Sequence, residues 1–125
     1  MPSPIPPPDS HFITLAQFMQ MKQAYADNKN SILQPPFQGD DVLCISELFN
    51  ITAINAISSV AGCAGMRITY GMDAGKQVHA MMVAVDSNGI DILPSDKNAK
   101  FAAMDSGTNP PVVQEGQRCP PLCPP

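Results

Sequence analysis

Val78-His79-Ala80-Met81-Met82-Val83-Ala84-Val85 is the stretch on which the fold turns. Its alternating positions are apolar on both faces, with His79 the one polar exception. A strand of that kind has to be covered on both sides, which places it in the middle of a sheet. Asp86-Ser87-Asn88-Gly89 follows, and Asn-Gly tolerates the positive φ that tight hairpin turns require. Ile90-Asp91-Ile92-Leu93 then returns antiparallel and stops at Pro94. Upstream, Met66-Arg67-Ile68-Thr69-Tyr70 reads as a strand, joined to the central one through the turn Asp73-Ala74-Gly75-Lys76. The pattern predicts a three-stranded antiparallel meander with two open edges. Such edges are blunted or used, and pairing with another chain is one use.

Before the meander the period changes from 2 to 3.6. Thr14-Leu15-Ala16-Gln17 reads as a capping box, and Leu15, Phe18, Met19, Lys22, Tyr25 and Ala26 follow at helical spacing. This helix is expected to stop between Asn28 and Leu33, ahead of Pro35-Pro36. Val42-Leu43-Cys44-Ile45 suits a short strand or buried coil. Ser46 reads as a second N-cap, with Leu48, Phe49, Ile51, Ile54 and Ile57 as an apolar helical face and Gly62 just past its end. Two helices and then a meander predict an α+β body of two layers.

Both ends of the chain are rich in proline: Pro2, Pro4, Pro6, Pro7 and Pro8 at one, Pro120, Pro121, Pro124 and Pro125 at the other. Proline fixes φ and removes a donor, so both ends are expected to be extended, and stiff extended arms lose little entropy on docking. The expected organisation is an N-terminal arm over residues 1–11, one domain over 12–104 and a C-terminal arm over 105–125.

Composition narrows the function classes. The chain has 125 residues, enough for one domain that folds without metal or disulfide help. Only 14% of residues are charged, and the net charge is −4. The seven Lys and Arg are scattered, with no basic stripe for a phosphate backbone, which excludes nucleic acid. The same scarcity argues against an anionic membrane surface. No apolar run reaches the ~20 residues that span a bilayer. Met1-Pro2-Ser3-Pro4-Ile5 lacks the features of a secretory signal, so the expectation is cytoplasm, or export without a cleaved N-terminal signal. A surface with so few charges favours a protein with partners.

The hairpin and tail also carry a resemblance. Arg67-Ile68-Thr69-Tyr70-Gly71-Met72-Asp73, Val78-His79-Ala80, Asp91-Ile92-Leu93-Pro94 and the tail Arg118-Cys119-Pro120-Pro121-Leu122-Cys123-Pro124-Pro125 resemble a group of small bacterial proteins of uncharacterised function. The resemblance runs from about Ile13 to the C-terminus and implies no activity.

Four cysteines offer chemistry. On an extended arm, Cys119 and Cys123 stand ~12 Å apart, too far for a disulfide unless the arm turns. Each can otherwise pair with Cys44, Cys63 or a neighbouring chain, or stay free. Zinc is a weak reading, since Pro120-Pro121 resists a ligand turn and Cys44 and Cys63 are far apart in sequence. Cys63 as a nucleophile with His79 as its base is weak too. Cys63 follows a helix C-terminus, the wrong end of the dipole to favour a thiolate, and no third group orients the pair. Asp86-Ser87-Asn88-Gly89-Ile90-Asp91 lacks the Glu that a calcium loop carries six residues after its glycine; Ser95 stands there. Met19, Met21, Met66, Met72, Met81, Met82 and Met104 suit core gaps and adaptable interfaces.

The reading that follows is a small non-enzymatic structural or interaction protein, without cofactor or metal. It is expected to self-associate as a homo-oligomer or polymer through sheet edges and through arms carrying Pro4, Pro6, Pro7, Pro8, Pro120, Pro121, Pro124 and Pro125, with the tail cysteines as a lock. The alternative is a thiol- or metal-dependent module using Cys63, Cys119, Cys123 and His79. A third reading gives the tail a protein partner with an aromatic-lined groove.

Overall fold

The computed structural model of the chain describes residues 5–95 and 110–124. The boundary expected at residue 104, Met104, Pro4 and Pro125 lie outside these residues. The elements are a 3-10 turn (Pro8–His11), α1 (Leu15–Asn28), a second 3-10 turn (Pro35–Phe37), β1 (Ser46–Leu48), α2 (Ile51–Ser58), β2 (Gly65–Met72), β3 (Val78–Val85), β4 (Asp91–Ile92), β5 (Val112–Val113) and β6 (Gln117–Cys119). The architecture is α+β with two α-helices and antiparallel sheets. It differs from the expected single meander in having six strands in two sheets. The chain divides into two compact units: Ile5, 48–71, 79–95 and 110–116 in the first, and 6–47, 72–78 and 117–124 in the second.

The first unit is built on β3. As its apolar faces dictate, β3 is central: β2 lies on one side, β4 and β5 on the other. The register pairs Ala84 with Ile92, Val85 with Asp91, Met82 with Val113 and Val83 with Val112. Met82, Val83, Ala84 and Val85 are all buried. Asp86 closes the β3–β4 turn, its Oδ1 accepting the Asn88 and Ile90 amides at 2.9 and 3.0 Å. Gly89 there takes φ 78°, a region that favours glycine. Helix α2 packs on β5, and Ile57, fully buried, joins Val60, Met82, Ala84 and Val113 in the core.

Helix α2 starts later than Ser46 suggests. Ser46–Leu48 is strand β1, paired with β6, and the Ile45 amide donates to the Cys119 carbonyl at 2.6 Å. Asn50 is the true N-cap, its Oδ1 accepting the Thr52 amide at 2.8 Å. The strand pairing has claimed the backbone that a helix from Ser46 would need.

The second unit contains α1, the β1–β6 pair and the tip of the β2–β3 hairpin. The capping box at Thr14 forms as the sequence indicates: Thr14 Oγ1 accepts the Gln17 amide at 3.0 Å, and the Gln17 side chain accepts the Thr14 amide at 2.9 Å. The apolar face of α1, expected to cover a sheet, buries no residue; Leu15 is 72% exposed and Met21 66%. At the hairpin tip, Asp73 Oδ1 accepts the Gln77 amide and the Lys76 amide donates to the Asp73 carbonyl, both at 3.0 Å.

The arms are not simply extended. Pro8 opens a 3-10 turn, which suits a residue with fixed φ and no donor. The C-terminal arm supplies β5 and β6 and then folds back on itself.

Candidate functional site

The C-terminal tail is held by Arg118. This side chain is buried, and its Nη2 donates to the carbonyls of Asp41 at 2.8 Å, Val42 at 3.2 Å and Val78 at 3.3 Å. Its Nε has no hydrogen-bond partner among the described residues. Val42 is itself buried, and its carbonyl also accepts the Val78 amide at 2.8 Å. One guanidinium thus ties β6 to the 41–42 loop and to the first residue of β3. Arg118 gives no signal in the sequence, because an isolated arginine in a proline-rich tail reads as solvated charge.

Beyond Arg118 the chain turns sharply. The Leu122 amide donates to the Arg118 carbonyl at 3.0 Å, and the Cys119–Pro120 and Pro120–Pro121 peptide bonds are both cis. The turn brings the Cα atoms of Cys119 and Cys123 to 4.6 Å, and the two form a disulfide. The ~12 Å separation expected of an extended arm is therefore corrected: the expectation assumed an unbroken trans polyproline rod. Cys119 is buried and Cys123 exposed. Pro120 is half-buried, while Pro121 and Pro124 stand at the surface, as do Pro6, Pro7 and Pro8.

Cys44 and Cys63 are free thiols and half-buried. Cys63, in the first unit, donates to the Gly65 carbonyl at 3.3 Å, a local contact of the loop before β2. His79 is half-buried near the start of β3. Cys44 belongs to the second unit, where its carbonyl accepts the Tyr25 hydroxyl at 2.7 Å. Among the described residues no group of three or more His, Cys, Asp or Glu is placed to hold a metal ion. No helix among them is long and apolar enough to cross a membrane.

Two surfaces stand out. The first is β2. Met66, Ile68, Tyr70 and Met72 lie on one face of this strand and are 37%, 53%, 73% and 58% exposed. Among the described residues β2 pairs with β3 alone, so its outer edge carries no strand. Arg67, its sole charged residue, is ion-paired to Asp91 and donates to the Gly89 carbonyl at 2.9 Å. The clamp ties β2 to β4 across β3 and neutralises the strand's charge. Of the methionines suited to core gaps or adaptable interfaces, Met82 is buried, whereas Met19, Met21, Met66 and Met72 are exposed.

The second surface is a groove of about 720 Å³ in the second unit. Phe18, Met21 and Tyr25 of α1 line one side, with Ile45, Ser46 and the Cys119–Cys123 disulfide among the residues opposite. Among the described residues, Lys22 is the one charged side chain in the lining. Tyr25 is anchored by its hydrogen bond to Cys44 and offers its ring to the groove.

No protein-family model, curated protein or solved structure matches this chain.

Proposed function

We propose that the protein is a non-enzymatic self-association module whose chains pair through β2. The observation that carries this reading is an eight-residue strand that pairs with β3 alone among the described residues and bears an exposed apolar face. Exposed edges are ordinarily blunted by proline, by lysine, by an inward charge or by a cover. Gly65–Met72 contains no proline or lysine, and its arginine is engaged with its own sheet.

The strand is also complementary to itself. Antiparallel pairing about a two-fold axis at Ile68 sets Met66 against Tyr70 and Arg67 against Thr69. An axis at Thr69 sets Met66 against Met72, Ile68 against Tyr70 and Arg67 against Gly71. Either register matches apolar with apolar and puts no like charges face to face, and each apolar pair contributes ~0.2–1 kcal/mol. The contact is isologous and closes as a dimer. The tail has a smaller part than a lock between chains would give it, because Cys119 and Cys123 are bonded to each other and β6 pairs with β1.

Sedimentation equilibrium tests the proposal. The wild-type chain is expected at twice its 13.3 kDa mass and Ile68→Lys at the monomer mass, with the same circular dichroism. A monomeric wild type, or a variant that remains dimeric, contradicts it.

A further inference from the structure

We propose that the groove beside α1 is a binding site for a single-chain amphiphile with an anionic head, a medium-chain carboxylate being the simplest member. The groove lies wholly within the second unit and is independent of pairing through β2.

Four observations carry it. The groove's volume, about 720 Å³, falls within the ~300–1,000 Å³ typical of small-molecule sites. Its walls are largely apolar: Phe18, Met21, Ile45 and the disulfide suit an alkyl chain better than a polar ligand, and the unbranched Met21 side chain adapts to its shape. The Tyr25 hydroxyl is already committed to the Cys44 carbonyl, so the tyrosine contributes an apolar ring. The fourth observation sets the sign of the ligand. The chain as a whole carries a net charge of −4, yet among the described residues this lining holds a lysine and no acidic side chain. Lys22 Nζ lies 6.0 Å from the Phe18 ring centre, poised over the apolar wall. An alkyl chain along Phe18 and Met21 with its carboxylate at Lys22 satisfies the apolar and the charged requirement together, whereas a cationic head meets repulsion at the same point.

The exposed apolar face of α1 bears on the test. Met19 is on the same helix and 60% exposed but does not line the groove, so it separates binding in the groove from general adhesion to apolar surface. The full chain with its disulfide intact is titrated calorimetrically with dodecanoate below its micelle concentration, and in parallel with dodecyltrimethylammonium. Carbon-labelled methionine methyl groups report the location. The expected results are saturable binding of one dodecanoate per chain and a shift of the Met21 methyl with Met66 and Met72 unmoved. Binding of the cationic analogue is expected to be weaker. K22Q is expected to weaken dodecanoate about three- to fivefold, the scale of an exposed charge contact, and to abolish the preference for the anion. F18A is expected to weaken both probes, and M19S to leave both unchanged. The proposal is overturned by non-saturable binding, by equal affinity for the two head groups, or by M19S acting as strongly as F18A. Methyl shifts at Met66 and Met72 in place of Met21 overturn it too. So does a short apolar peptide that displaces dodecanoate at lower concentration than dodecanoate itself requires.

Discussion

Replacing Arg118 by Met removes the guanidinium while keeping most of the apolar stem, and so isolates what its hydrogen bonds contribute. A hydrogen bond from a charged donor contributes ~1.5–3 kcal/mol. The 2.8 Å contact to the Asp41 carbonyl belongs in that range, while those to Val42 and Val78, at 3.2 and 3.3 Å, are weaker. The variant does not lose all three equally. The Val42 carbonyl keeps the Val78 amide, so the Asp41 and Val78 carbonyls bear the loss. Against this, Met spares the cost of burying a cation whose Nε has no partner among the described residues. The balance is a destabilisation of ~2–3 kcal/mol. The chain has two tyrosines and no tryptophan, so in a Tyr70→Phe background the remaining fluorophore is Tyr25, in the same unit as Arg118. Urea titrations of this background with and without R118M, followed by Tyr25 emission, give the difference. Arg118→Lys keeps a charge with three donors and is expected to recover part of the loss. If R118M unfolds within ~0.5 kcal/mol of its parent, a range typical of surface substitutions, Arg118 does not hold the tail.

Three further expectations follow from local geometry. Ile57→Ala empties a fully buried site between α2 and the sheet and should cost ~2–5 kcal/mol in chemical denaturation, whereas Ile51→Ala, at a 63% exposed position on the same helix, should change little. Asn50→Ala removes the side chain that accepts the Thr52 amide and should lower stability by ~1 kcal/mol, with Asn50→Asp nearly neutral. The double change Cys119→Ser, Cys123→Ser opens a ring closed over a sequence separation of four, so the loss read from thermal unfolding should be no more than ~2 kcal/mol, small for a disulfide.

The sheet was the legible part of the sequence. An eight-residue run apolar on both faces can lie only between neighbours, and the Asp-Ser-Asn-Gly turn directs the chain back beside it, so β2, β3 and β4 were all foreseeable. The capping box at Thr14 was readable for a similar reason: its two hydrogen bonds are made by residues three apart. What stayed hidden depends on distant residues. Val112–Val113 and Gln117–Cys119 are too short to show a period and become strands because β3 and β1 supply the pairing. Ser46 looks like a cap in isolation but loses the helix to β6. The tail thiols looked too far apart because spacing along a rod says nothing of a turn closed by a bond between Leu122 and Arg118. The groove was invisible in the same sense, since its residues come from three separate stretches, 13–25, 45–46 and 119–124, and meet only after folding. The amphipathic spacing of α1 was read correctly as a pattern and wrongly as burial: periodicity shows that a helix has an apolar face and leaves open what covers it.

The pairing of two chains through Gly65–Met72 is tested most directly by placing a nitroxide on Thr69, in a background where Cys44 and Cys63 are replaced by Ser, and recording the dipolar interaction between labels. Thr69 meets Arg67 or its own copy across the proposed axis, where opposing Cβ atoms stand ~4.5–5.5 Å apart. Strong broadening that disappears on dilution with unlabelled chain is the expected result. A spectrum without dipolar broadening, at concentrations where the protein sediments as a dimer, would place the contact elsewhere.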